Sequence, residues 1–440
     1  MLGAISLALD ACDRARPTAP STAHGPRSES FNRDWRFAKG SQPDAETVGF
    51  DDSAWESVRL PHDWAITGPY EPEGDPGTGK LPWKGEGWYR KAFTLPAEDE
   101  GRRVYLDFDG VMAMPVVYVN GQLSGGWDYG YMSFRTDATE HVRFGHTNLV
   151  AVHVDTRQHH SRWYPGAGIY RKVQLAIRDP LHIAHWGTFV TTPEVSDDEA
   201  TVVIETTVEN HAPQPNAVDV EVEILDPDGR AIDRHISPLE IDAGGSQTAT
   251  VTFRLVAPRR WDIDSPNLYT AVTRVTSADD LLDTAETPFG IRTFEFTADD
   301  GFHLNGRRVQ LQGVNLHHDL GPLGTAFNVR AMQRQLEIMQ DMGVNALRTS
   351  HNPPAPEVLD LCDRMGIVVW DEVFDKWDAT ATRPQDVSIV EHGWKQIPQM
   401  IRRDRNHPSV VVWSVGNEVW DLELGKYDDG PDLLRQMVEA

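Results

Sequence analysis

Cysteine is almost missing from this chain: only Cys12 and Cys362 occur in 440 residues. Two such distant thiols build no disulfide framework, and Cys362 lies inside an apolar helical run, so it reads as a buried thiol and leaves the redox compartment open. Long hydrophobic runs are missing too. No later segment reaches the ~20 apolar residues that a membrane-spanning helix needs, so no membrane span is expected. Positive charge is scarce, with 41 Lys and Arg against 67 Asp and Glu and a formal net charge of −26. That field repels nucleic acid and anionic lipid, which excludes both as expected partners without naming a substrate.

The N-terminus lacks the basic residues that open an export signal. Leu2 to Leu9 is apolar but short, and Leu9-Asp10-Ala11-Cys12 loosely resembles a lipoprotein cleavage box in which Asp10 is unfavourable. Arg16 to Ser30 is rich in Pro, Ser, Thr and Ala, as a tether would be. Residues 1–30 therefore read as a damaged lipoprotein signal or as a disordered leader. The first reading places the protein in the cell envelope or outside the cell, the second in the cytoplasm.

What is present is first of all β-structure and tryptophan. Seven of the 14 Trp residues precede Pro165; such a surface can stack sugars, but most of these rings are expected in a sandwich core. Over 31–179, short runs such as Val104–Gly110, Pro115–Gly121 and Thr147–Val154 alternate with turns, and Asn120-Gly121 marks a hairpin. Many short strands without a long helix indicate a jelly-roll sandwich. Over 180–288, the runs Ala200–Asn210, Ala217–Leu225 and Gln247–Leu255 alternate at period two, and Asp226-Pro227-Asp228-Gly229 supplies a turn. This block reads as an immunoglobulin-like sandwich without its disulfide, and as a spacer.

Over 289–440 the period changes. Strands are expected at Val309–Val314, Val344–Leu347, Ile367–Trp370 and Ser409–Ser414. Helices are expected at Asn328–Met342, Pro354–Met365 and about Glu391–Asp404. Alternating strands and helices with apolar strands indicate parallel βαβ units, here four of them. The last strand ends at Asn417-Glu418, and a carboxylate just beyond a strand sits where a (β/α) barrel places its chemistry.

Two long segments resemble glycoside hydrolase family 2, in its β-galactosidase-like members. One runs from Asn345 through Arg348, His351 and Pro353 to Trp370; the other runs from Asp404 to Glu418. Ser161-Arg162-Trp163-Tyr164-Pro165-Gly166 and the following residues to Arg171 resemble the motif that closes the family's first domain. The resemblance covers nearly all of the chain after Phe31. It implies a multidomain β plus α/β protein: a jelly-roll sugar-binding domain, an immunoglobulin-like β-sandwich and the N-terminal half of a (β/α)8 TIM barrel.

By that resemblance Glu418 is the acid/base carboxyl of a retaining exo-β-glycosidase. Its pKa is then expected to be held high by a partly apolar site and by a neighbouring nucleophile. Asn417 is implied to bond the sugar 2-hydroxyl, and His351 and His317 to read hydroxyls at the rim of strands two and one. Arg348 is implied to steady the carboxylates. Asp375 and Trp377 are candidates for sugar binding and stacking, and Arg162 and Trp163 could reach the site from the first domain. The Asp371-to-Trp377 loop does not match the family's Glu-X-His magnesium pair, so no metal and no cofactor is assigned.

The family's nucleophile follows a later strand, and Asp421, Glu423, Asp428, Asp429, Asp432 and Glu439 do not suit that role. The chain is therefore expected to be a truncated and inactive hydrolase of β-galactosides. A non-catalytic carbohydrate-binding remnant, a split enzyme, and β-glucuronidase or β-mannosidase specificity stay open. The expected partner is an oligosaccharide or β-glycoside, with homo-oligomer formation open for the complete enzyme.

Overall fold

The computed structural model describes residues 25–278, 280–377, 393–419 and 430–439. The first unit is a sandwich of two antiparallel sheets. One orders Arg27–Ser30, Val173–Arg178, Arg103–Phe108 and Phe134–Asp137; the other orders Glu56–Val58, Trp35–Lys39, Glu86–Thr94, Thr147–Asp155, Val116–Val119 and Gln122–Gly126. Phe31, Trp35, Trp64, Tyr89, Leu106 and Val152 join the two sheets in one apolar core. Of the seven early Trp residues, Trp35, Trp64 and Trp83 lie in that core, with Trp127 partly buried against it. Trp55 and Trp88 are buried in a smaller cluster, and Trp163 is instead buried in a cluster with Phe374 and Trp377. The Asn120-Gly121 turn forms with φ of 52° and 80°, values that Asn and Gly tolerate.

Residues 1–24, including Cys12 and the lipoprotein-like box, lie outside the described residues. The tether expected to run to Ser30 is corrected at its end. Arg27–Ser30 pairs with Val173–Arg178, and Arg27 bonds the buried Asp99 carboxylate.

The second unit packs the sheet Leu181–Val195, Glu199–Asn210, Ser246–Val256 against Ala231–Ile241, Asn216–Leu225, Tyr269–Ser277, Asp280–Phe289. Along Glu199–Asn210 the side chains alternate between buried and less buried positions, as period two requires for a one-faced strand. A small meander follows, made of Phe294–Thr297, Gly301–Leu304 and Arg307–Arg308.

Four parallel strands then lie side by side in chain order: Gly313–Leu316, Ala346–Thr349, Val368–Glu372 and Val410–Ser414. They are called barrel strands one to four below, and among the described residues strands one and four are the sheet edges. The first strand starts four residues later than the expected Val309–Val314 and shares only Gly313 and Val314 with it. Arg307–Arg308 pairs back onto Gly301–Leu304, and Val309 is buried beside Trp261 and Phe302 instead of in the barrel.

Helix α1 (Val329–Asp341) starts at Asn328, whose side chain accepts from the Ala331 N–H. Helix α2 (Pro356–Met365) starts on a proline and stops at Gly366 in the left-handed region. Helix α3 (Gln396–Asp404) follows a single 3-10 turn at Gly393–Lys395. The final helix, α4, spans Gly430–Glu439. Cys362 is buried in α2, and burial pushes its thiol up. No described helix is long and apolar enough to cross a membrane.

The segment from Asp404 to Glu418, with Arg403 before it, docks domains as well as carrying Glu418. Arg403 donates to the Asp404 carboxylate through Nε and Nη2, both at 2.7 Å, and to Ser133 Oγ of the first sandwich at 3.0 Å. Asn406 accepts from the Val190 N–H and donates to the Thr188 carbonyl of the second sandwich. His407 donates to Asp363 at 2.6 Å, since a carboxylate can only accept.

Candidate active site

The C-terminal ends of the four barrel strands gather polar side chains around Glu372. This residue ends strand three and is fully buried. Its Oε2 accepts from Arg348 Nη2 at 2.6 Å and from Ser414 Oγ at 2.6 Å, and its Oε1 accepts from His351 Nδ1 at 2.6 Å. Three strands thus meet on one carboxylate. A buried charge needs such partners, because removing it from water would otherwise cost several kcal/mol. Arg348 also donates to Asn417 Oδ1 at 2.9 Å, so the expected supporting role of this guanidinium has a geometric basis.

A second layer surrounds Asp375, also fully buried. Its carboxylate accepts from Arg162 Nη2 at 2.7 Å and from Asn417 Nδ2 at 2.8 Å, and its carbonyl accepts the Asn417 N–H at 2.8 Å. Arg162 therefore does reach the site from the first sandwich. Its neighbour Trp163 also reaches it, stacking on His317 with ring centroids 4.7 Å apart and standing edge-on to His351 at 5.9 Å. His317 donates or accepts through Nδ1 opposite the Ser350 carbonyl at 2.8 Å; since a carbonyl only accepts, Nδ1 carries the proton. His318 is the buried one of the pair: it faces the Pro165 carbonyl, and burial pushes its imidazole down to about 3. Of the two adjacent histidines, His317 is the one at the rim.

Glu418 stands at this rim with its side chain 47% exposed and its backbone at φ 44°. Its Oε2 accepts from Lys376 Nζ at 2.9 Å and from Arg162 Nη1 at 3.2 Å. Lys376 also donates to the carbonyls of Asn417 and Glu418, each at 3.0 Å. The Lys376 hydrogen bond, followed by that of Arg162, holds the Glu418 carboxyl below the usual glutamate range. This corrects the expectation of a raised pKa: two cations face the group, where an apolar wall and a second carboxylate were expected.

Two further expectations change. Trp377 is buried, donates its indole N–H to the Val415 carbonyl at 2.7 Å and packs so closely on Gly416 that a Cβ there would lie 2.7 Å from the ring nitrogen. Asp375 is saturated by Arg162 and Asn417. Neither offers a free face to a sugar among the described residues; both hold Asn417-Glu418 in place. Sequence reasoning missed Glu372, Lys376 and Ser414 as parts of the site. Glu372 was visible at a strand end, and Lys376 adjoined a chosen residue, but nothing local signals that they converge. Asp421, Glu423, Asp428 and Asp429 lie outside the described residues, and Asp432 pairs with Arg435 on α4.

A barrel-rim carboxylate beside an asparagine, with basic and aromatic side chains delivered by a β-sandwich, is the arrangement of a sugar-processing barrel protein. Family models agree along the chain: Glycosyl hydrolases family 2, sugar binding domain, matches residues 77–179; Glycosyl hydrolases family 2 matches 181–292; and Glycosyl hydrolases family 2, TIM barrel domain, matches 296–430. The chain belongs to glycoside hydrolase family 2.

It is 45% identical over 405 residues to the beta-galactosidase BoGH2A of Bacteroides ovatus, covering 91% of this chain and 47% of that protein. It is 29% identical over 418 residues to a beta-glucuronidase of Formosa agariphila, covering 88% of this chain and 42% of that protein. A crystal structure of a glycosyl hydrolase family 2 member from Bacteroides cellulosilyticus superposes with a TM-score of 0.87 at 36% identity, over 93% of this chain and 54% of that one. The chain spans about half the length of the curated relatives it matches.

Proposed function

We propose that this chain carries the acid/base half of a retaining exo-β-glycosidase acting on terminal β-galactosides. The observation that carries the reading is the Asn417-Glu418 pair at the end of barrel strand four. Its asparagine is held from both sides by Arg348 and Asp375, and its glutamate is left half-exposed. In this reading Glu418 protonates the glycosidic oxygen and then, as carboxylate, takes a proton from the attacking water. Asn417 bonds the sugar 2-hydroxyl, and His317, His351 and Trp163 form the adjoining rim. The reading invokes no metal or cofactor at this rim. The 45% identity to a protein named beta-galactosidase supports the galactoside preference.

A retaining mechanism needs a second carboxyl about 5–5.5 Å from the first, acting as nucleophile. Among the described residues the nearby carboxylates are Glu372 and Asp375, and both are buried and fully engaged by Arg348, His351, Ser414, Arg162 and Asn417. The reading includes, as a further part of the proposal, that the 440-residue chain alone does not turn over substrate. A second reading, β-glucuronidase specificity, is favoured by the relative named beta-glucuronidase that matches 88% of this chain.

The test is hydrolysis of aryl β-galactoside, β-glucuronide and β-mannoside by this chain and by the protein extended to its relatives' length. Expected is galactoside turnover in the extended form alone, lost in its Glu418→Gln variant. Glucuronide turnover would select the second reading. Silence of the extended form on all three would sink the glycosidase reading.

A further inference from the structure

Far from the barrel rim, at the joint between the two sandwiches, His182, Glu209 and His211 bring three donor atoms within 4.8 Å of one another. His182 opens the strand Leu181–Val195 and is fully buried; Glu209 and His211 lie at the end of the neighbouring strand, partly exposed. The Glu209 carboxylate is the hub, with Oε2 3.1 Å from His211 Nε2 and 3.8 Å from His182 Nε2. Two imidazoles and a carboxylate are the donor set of many three-ligand zinc sites, which keep a fourth position for water.

Three further features prepare the group. His182 Nδ1 is 2.7 Å from the Asp179 carbonyl, which fixes the proton on Nδ1 and leaves the Nε2 lone pair pointing to Glu209. Metal-binding histidines are oriented in this way by a carbonyl or carboxylate on their other nitrogen. The His211 N–H is tied to the Pro180 carbonyl at 2.8 Å, so the third ligand hangs from the same turn as the first. The two rings are stacked with centroids 5.2 Å apart. Zinc–ligand bonds of about 2.0–2.2 Å require donors about 3.3 Å apart in a tetrahedron, so only a modest turn of the partly exposed His211 and Glu209 is needed.

The surroundings do not forbid a cation. The guanidiniums on this side are neutralised, Arg135 by two hydrogen bonds to Asp107 and Arg178 by Asp283 at 3.6 Å. The competing partner of His182 Nε2 is the Tyr105 hydroxyl at 3.3 Å, a long contact that a metal would displace.

We infer that His182, Glu209 and His211 form a binding site for a zinc-like divalent transition metal that ties together two neighbouring strands at the start of the second sandwich. Tyr105 of the first sandwich lies beside the site, its ring 5.6 Å from that of His182, so the ion would sit next to the boundary between the two units.

Chelator-stripped protein is titrated with Zn2+ by calorimetry, and with Co2+ by visible absorption. Expected is one saturable equivalent, a thermal midpoint that rises with the metal, and the strong visible bands of four-coordinate cobalt. His211→Ala and Glu209→Gln alter partly exposed side chains and should each weaken binding at least tenfold, while His235→Ala, at an exposed His–Asp pair elsewhere on the second sandwich, should leave it unchanged. Absence of saturable binding overturns the inference. So does binding that is equally tight in His211→Ala and Glu209→Gln, or that only His235→Ala weakens.

Discussion

The Lys376 ammonium lies 2.9 Å from the Glu418 carboxylate, and the two residues belong to loops after adjacent barrel strands. Lys376, with Arg162, therefore favours the charged form of the Glu418 carboxyl at the rim. Because the folded-state pKa of Glu418 is lowered, its interaction is present above the unfolded value of about 4.3 and is lost as pH falls through the folded value. Lys376→Met should raise the Glu418 pKa, read by carbon NMR of labelled glutamate against a Glu418→Gln reference. An unchanged titration would show that the ion pair does not set it.

His407 titrates in the opposite sense. Burial alone would lower its pKa, but Asp363 at 2.6 Å outweighs burial and pushes it up to about 9. Its contribution is fully present below the unfolded pKa of about 6.5 and is lost as pH rises through about 9. Urea midpoints measured from pH 6 to 10 should fall across that window in the parent chain. His407→Gln should flatten this fall; an equal slope in both proteins would contradict the assignment.

Arg171 is buried, and among the described residues no carboxylate pairs with its guanidinium. It donates to the carbonyls of Asp109 and Tyr131 in the first sandwich and to those of Pro353 and Pro354 after barrel strand two. Arg171→Met would leave these buried acceptors without partners and should lower stability by about 3 kcal/mol. Chemical denaturation checks this, and a loss below about 0.5 kcal/mol would mean that water replaces the side chain.

Gly366 ends α2 at φ 70°, and a Cβ there would stand 2.1 Å from the Ile263 carbonyl oxygen. Gly366→Ala adds a backbone penalty to a clash with rigid main chain. A destabilisation of about 3 kcal/mol is expected by thermal unfolding. Gly229→Ala, at φ 79° in an open turn, should cost less because nothing stands within 4 Å of the added atom.

Much of the fold was legible because period and punctuation are local properties. The alternation in Glu199–Asn210, the Asn120-Gly121 turn and the Asn328 cap each announce themselves within a few residues. The first barrel strand was misplaced because Val309 is apolar in either setting; only the return pairing of Arg307–Arg308 shows which core it enters. At the site, Glu418, Asn417, His351 and Arg348 were found through long motifs. The depressed Glu418 pKa was not, since Lys376 and Arg162 approach it from 42 and 256 positions away in the chain. Trp377 was misread for the same reason: exposure depends on what packs over a ring, and residue type does not record it.

Arg162, Trp163 and Arg171 lie on one short stretch of the first sandwich, yet they touch the loops after barrel strands one, two, three and four. Recombination that exchanged this sandwich for a foreign one would strip Asp375 and Glu418 of a cation and His317 of its stacking partner. The unit of inheritance for this chemistry is thus the sandwich and the barrel together, and an engineer who grafts one must carry the other's contact stretch with it.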